Sequence, residues 1–159
     1  MNVLLAIARA SIWAPGAIPA HEGELARDVK RWVLPPFDAL LILGSALGLS
    51  GGMPSLMIVY NEAVSSASAV AVLAFSIGCL LGISFPRWWL LEMLSKCGLV
   101  FILATYALML FGLAFAGSEA RGFVAGVTAA CAVLPTWRIL WLGREHRRRV
   151  LAARLVGGS

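Results

Sequence analysis

Four apolar runs, separated by short polar or charged stretches, decide what this chain can become. The first begins near Pro36 and passes through Leu40-Leu41-Ile42-Leu43 to Leu49; the others cover 63–85, 97–117 and 122–142. A helix needs about 20 apolar residues to cross the ~30 Å hydrocarbon core of a bilayer. The last three runs are long enough, and Arg138 is the one charge inside them.

Composition removes the alternatives. Sixty per cent of the 159 residues are apolar and 13% are charged, against about 25% charged in an ordinary soluble domain. That leaves too little polar surface to cover a water-soluble particle, and far too much hydrophobicity for a disordered chain. The sequence therefore predicts an all-α integral membrane four-helix bundle, with a cytoplasmic or interfacial amphipathic N-terminal segment. That segment takes 1–34, the transmembrane domain 35–142 (spans near 36–52, 63–85, 97–117 and 122–142), and a basic cytoplasmic tail 143–159.

The first span is ambiguous at its outer end. Ser50-Gly51-Gly52-Met53-Pro54 is helix-breaking chemistry, yet Leu56-Met57-Ile58-Val59-Tyr60 is apolar again. Either the helix continues to Tyr60 with a kink, or it ends near Gly52 and Pro54–Glu62 hugs the membrane as an outer loop. Two glycines and a proline within four residues favour the second.

The N-terminal 20 residues lack the Lys or Arg of a signal-peptide n-region, and Arg9 interrupts their apolar run. A short surface helix with Trp13 at headgroup level fits them better. From Glu22 to Val33, Leu25, Val29, Trp32 and Val33 share one helical face while Glu24, Arg27, Asp28, Lys30 and Arg31 take the other. This reads as an amphipathic surface helix, stopped by Pro35-Pro36. The alternative reading of this segment is a docking site for a membrane or cytoplasmic protein partner.

Lys and Arg in the short loops set topology. Arg9, Arg27, Lys30 and Arg31 precede the first run, Arg87 and Lys96 join the second to the third, and six basic residues lie from Arg138 onward. Arg121 alone falls on the other side, which predicts cytoplasmic termini in an inner (cytoplasmic) membrane. Trp32, Trp88, Trp89 and Trp141 land at the same interface. Arg144, Arg147, Arg148 and Arg149 form a polybasic patch suited to anionic headgroups, with Val150, Leu151 and Leu155 as a short surface turn. Arg138, the deepest charge, is expected to snorkel to the headgroups. The pI near 9.7 has no basic face interleaved with exposed aromatics on a soluble fold, so no nucleic-acid partner is expected.

Between helices in lipid, small residues permit close backbone approach. Gly44, Gly48 and Gly52 in the first run, Gly78 and Gly82 (with Ala74) in the second, and Gly122 and Gly126 (with Ala130) in the fourth form stripes of spacing four. They predict a tight bundle or a homo-oligomer.

Ionisable groups inside a bilayer are costly and tend to be functional, but few are found. Asp38 reads as a helix-start residue and Glu62, beside Asn61, as a cap-like one. Cys79, Cys97 and Cys131 are far apart and read as buried free thiols. No paired carboxylates, metal set, nucleophile motif or phosphate-binding glycine loop is present. No catalytic, cofactor or metal site is expected, and the chain is not read as an enzyme. A passive channel lined by Ser66, Ser76 and Thr105 is a third reading, short of polar lining.

The segments Gly52-Met53-Pro54-Ser55, Arg87-Trp88-Trp89-Leu90-Leu91-Glu92 and Leu134-Pro135-Thr136-Trp137-Arg138 resemble stretches of four-span, holin-like membrane proteins of actinobacterial phages. The resemblance covers about Leu34 to Arg149; the long N-terminal extension departs from it. It implies accumulation in the inner membrane, oligomerisation and loss of the membrane barrier. The contrasting reading is a scaffold, accessory or exclusion protein that binds a partner through the N-terminal amphipathic helix and basic tail.

Overall fold

The computed structural model describes residues 11–14, 27–51, 54–117 and 119–157. Gly52 and most of the N-terminal surface segment lie outside the described residues. Among the described residues, five α-helices follow one another: α1 (Leu34–Gly51), α2 (Pro54–Val59), α3 (Glu62–Ser84), α4 (Trp89–Phe115) and α5 (Glu119–Gly157). Four stretches are long and apolar enough to cross a membrane: Val29–Gly51, Glu62–Ser84, Trp89–Phe115 and Arg121–Glu145. The protein is an all-α, multi-pass membrane protein. Its outward residues agree: Leu40, Leu47, Phe101, Leu108 and Phe123 are all exposed, a burden in water but ordinary against acyl chains.

The chain forms two compact units, Met1–Ser95 and Lys96–Ser159. In the first, the prolines do not end a helix as the sequence suggested. A π-helical turn, Val29–Val33, runs straight into α1, with Pro35 and Pro36 in the first turn of α1. The two prolines remove donors from a continuing helix, and the π turn, in which the Leu34 N–H donates to the Val29 carbonyl, absorbs the change in hydrogen-bond register. Val29–Val33 is thus the start of the first span, not part of a separate surface helix. Among residues 11–14, the chain makes a turn, with the Ala14 N–H donating to the Ser11 carbonyl at 3.1 Å.

That turn fixes the register of the first two spans. The Ile12 N–H donates to the Ser84 carbonyl at 3.0 Å, and Arg31 Nε donates to the Ile12 carbonyl at 3.2 Å. One residue therefore joins the start of the first span to the end of α3, so the two spans run antiparallel. Ser11 and Ile12 are buried while Trp13 is exposed. Leu34, Asp38 and Ser45 form the buried stripe of α1, and Ser65, Ala69, Val72, Ser76, Cys79 and Ile83 that of α3. Both repeat at three and four, the spacing of one helical face, and α1 packs along α3.

At the opposite end, α1 stops at Gly51 as described, and α2 is a six-residue helix packed on α3 rather than an irregular loop. Leu56 is its buried anchor. Asn61 caps α3: its Oδ1 accepts from the Val64 N–H at 2.9 Å. The neighbouring Glu62 is an exposed first-turn acid, favoured by the helix dipole. Phe85 closes α3 by donating to the Leu81 carbonyl, and Pro86–Trp88 forms a 3-10 turn into α4.

In the second unit, Leu99, Leu103, Ala107 and Leu110 make one buried stripe of α4, and Ala125, Pro135, Arg138 and Leu142 lie on the buried side of α5. Gly117 turns the chain with φ 105°, a conformation open to glycine at no steric cost. Helix α5 passes unbroken through Pro135 and on to Gly157. The tail is accordingly a helical continuation of the span and not a separate turn lying on the surface. Near the proline, the Thr136 hydroxyl donates to the Ala132 carbonyl at 2.7 Å, the kind of local hydroxyl bond that accompanies proline in membrane helices.

Candidate functional site

Four ionisable side chains are withdrawn from solvent within the apolar spans: Asp38, Glu92, Lys96 and Arg138. Asp38 lies well inside a helix that already runs continuously from Arg27, so it is not a helix-start residue at a free N-terminus. It shares the buried face of α1 with Leu34 and Ser45. Arg138 is 5% exposed and on the buried side of α5. Its neighbour Trp137 takes the outward side.

Glu92 and Lys96 were not anticipated. The apolar count places Lys96 in a loop, but α4 begins at Trp89, which puts both residues within its first two turns. They stand four residues apart and so share one face. The signal lay in that spacing, obscured because the apolar run starts only at Cys97. All four buried charges take part in polar or electrostatic interactions within the chain. Such compensation is what a low-dielectric interior demands, because an unpaired buried ion is very costly.

The glycines divide into two groups. Gly78 and Gly82 carry α3 against the start of α4: a Cβ on Gly78 would collide with Ser95 Oγ, and one on Gly82 would lie 2.7 Å from both the Cα and the backbone N of Glu92. Gly122 is in ordinary contact, its virtual Cβ 3.5 Å from the Ala114 Cβ. Gly44 and Gly126, by contrast, have nothing within 4 Å among the described residues. Neither expected packing position is used within its own unit among those residues, and Gly48 is half-buried.

The expected pore residues differ in their exposure. Ser76 is fully buried and its Oγ has no hydrogen-bond partner, while Ser66 is exposed. Thr105 is also exposed and bonds back to the Phe101 carbonyl. Of the three thiols, Cys79 is buried, Cys131 half-buried and Cys97 exposed on α4, which corrects the expectation of three buried thiols. An outward position in a span is compatible with a small, weakly polar thiol.

The interfacial residues separate by end and by side. Trp32 and Trp88 are exposed, and Trp89 and Trp141 are half-buried. Trp141 packs on Trp137 with ring centroids 5.3 Å apart. Arg144 and Arg147 are exposed on the helical extension of α5; the side chains of Arg148 and Arg149 lie outside the described residues. Comparison of the chain with protein-family models, with curated proteins and with solved structures gave no match.

Proposed function

We propose that this small polytopic membrane protein self-associates in a cytoplasmic membrane and permeabilises it in the manner of a holin, without enzymatic chemistry. The observation that carries the reading is the open space at Gly44 and Gly126. Gly78 and Gly82 are consumed by packing within the chain, but these two glycines are not, and close helix approach in lipid depends on such small residues. A second copy is the occupant this reading assigns to them. The bias of Lys and Arg toward one side places both termini in the cytoplasm.

The test is tightly controlled expression in a bacterium, with membrane potential and cell density followed together. An abrupt collapse at a reproducible time after induction is expected. Gly44→Leu combined with Gly126→Leu should delay or abolish it and shift cross-linked species toward monomer. Normal growth with the protein present in the membrane would refute permeabilisation and turn attention to a scaffold role. Unchanged collapse and unchanged oligomers in the double variant would remove the glycine faces from the mechanism.

A further inference from the structure

The unbroken course of α5 lines up residues that the sequence left in two separate regions. Val133, Trp137, Trp141, Arg144, Arg148 and Leu151 follow one another at steps of four, four, three, four and three. On a continuous α-helix that spacing is a single stripe, and α5 is continuous across all of them. Pro135, Arg138 and Leu142 occupy the buried side instead. Val133, Trp137, Arg144 and Leu151 are each exposed, and the two indole rings pack tilted at 52°. Arg147, exposed as well, borders the stripe one turn beyond Arg144.

We propose that this stripe binds one anionic phospholipid, its acyl chain along Val133, Trp137 and Trp141 and its headgroup phosphate on Arg144 and Arg147. Depth supports this occupant over a soluble one. Tryptophan marks the boundary between hydrocarbon and headgroups, and the headgroup layer adds about 5–7 Å per leaflet. At 1.5 Å per residue, Arg144 lies about 4.5 Å beyond Trp141 and Arg147 about 9 Å beyond it. Arg144 therefore falls within that layer, where a lipid phosphate is present and a folded protein is excluded. Arg147 lies just past it, on a helix whose side chains lean back toward its N-terminus and so toward the membrane. Guanidinium matches phosphate geometrically through paired N–H donors. Arg149 stands about 140° around the helix from Arg144 and belongs to no such set. The proposal rests on α5 crossing the bilayer and is independent of self-association.

The experiment uses the full chain in phosphatidylcholine vesicles containing chain-brominated phosphatidylglycerol, or chain-brominated phosphatidylcholine at equal mole fraction. Tryptophan quenching is read against a Trp137→Phe, Trp141→Phe variant to isolate the stripe. Stronger quenching by the anionic lipid is expected. Arg144→Gln and Arg147→Gln together should remove the preference, with about a fivefold loss of relative affinity per arginine. Arg149→Gln should retain it, and excess inorganic phosphate should leave it intact. Equal quenching by the two lipids would overturn the proposal. So would an equal loss in Arg149→Gln, which would show diffuse attraction, or full competition by free phosphate, which would make the acyl chain irrelevant.

Discussion

The backbone of Glu92 rests directly on Gly82: a methyl group at Gly82 would lie 2.7 Å from the Glu92 Cα. The contact is fixed from both sides, because Glu92 belongs to the first turn of α4 and Gly82 to the last turn of α3, with a short 3-10 turn between them. Neither backbone can retreat without opening that connection. Gly82→Leu is therefore expected to overpack the junction, at a cost of about 1–3 kcal/mol or more. Gly44→Leu, with open space around it, should leave the folded chain intact. Thermal unfolding of the two variants in the same detergent checks this. Equal stability would show that the junction relaxes freely.

A second expectation comes from charge balance. Lys96 is fully buried and Glu92 is 2% exposed, one turn apart on α4. Neutralising one member of a buried ionic set leaves an uncompensated charge, which typically costs about 3–5 kcal/mol. Lys96→Met alone should destabilise strongly, and so should Glu92→Gln alone. The double variant removes one charge of each sign and should recover much of the loss. A double-mutant cycle measured by unfolding in detergent reads this directly; additive losses would show that the two residues answer to separate surroundings.

These two contacts also show how far the sequence could be read. The spans were legible because apolar length is a direct physical requirement of the bilayer, whereas the cap of α3 reads one residue late in the sequence, at Glu62, while Asn61 beside it makes the capping bond. The path through Pro35-Pro36 was not legible. Proline signals a break wherever the helix before it has ordinary register, and nothing local announces a π turn that absorbs the shift. Lys96 was misplaced for a related reason: hydropathy treats every charge as a loop charge, whereas burial depends on compensation from elsewhere in the fold. Glycine spacing marked Gly44 and Gly82 alike, yet one faces open space and the other a backbone. Spacing reports which positions permit close approach, and only tertiary structure reports which are used.

The Ile12 clip gives a local prediction. Arg31 holds the Ile12 carbonyl while the Ile12 N–H satisfies Ser84, a carbonyl at the end of α3 that lacks an onward helical partner. Arg31→Ala removes one hydrogen bond from a charged donor, worth about 1.5–3 kcal/mol. Amide exchange at Ile12 should accelerate at least tenfold while exchange in the middle of α3 stays unchanged. Undiminished protection at Ile12 would mean that burial of Ser11 and Ile12 suffices to hold the turn.

Topology supplies the last prediction. Ala116 is exposed at the turn between α4 and α5 and Arg144 is exposed near the other end of the α5 span. The orientation proposed from the Lys and Arg bias puts Arg144 in the cytoplasm and Ala116 outside. Cys79, Cys97 and Cys131 are first replaced by alanine, so that a single introduced thiol reports. Ala116→Cys should then react with a membrane-impermeant maleimide added to intact cells. Arg144→Cys should react only after the cells are opened, because the ~30 Å hydrocarbon core separates the two positions. Replacement of one positive charge among six at that end leaves the bias in place, so the second variant still tests the native orientation. The reverse pattern would invert the protein, put the lipid-binding stripe of α5 in the outer leaflet, and remove the cytoplasmic assignment of the basic tail.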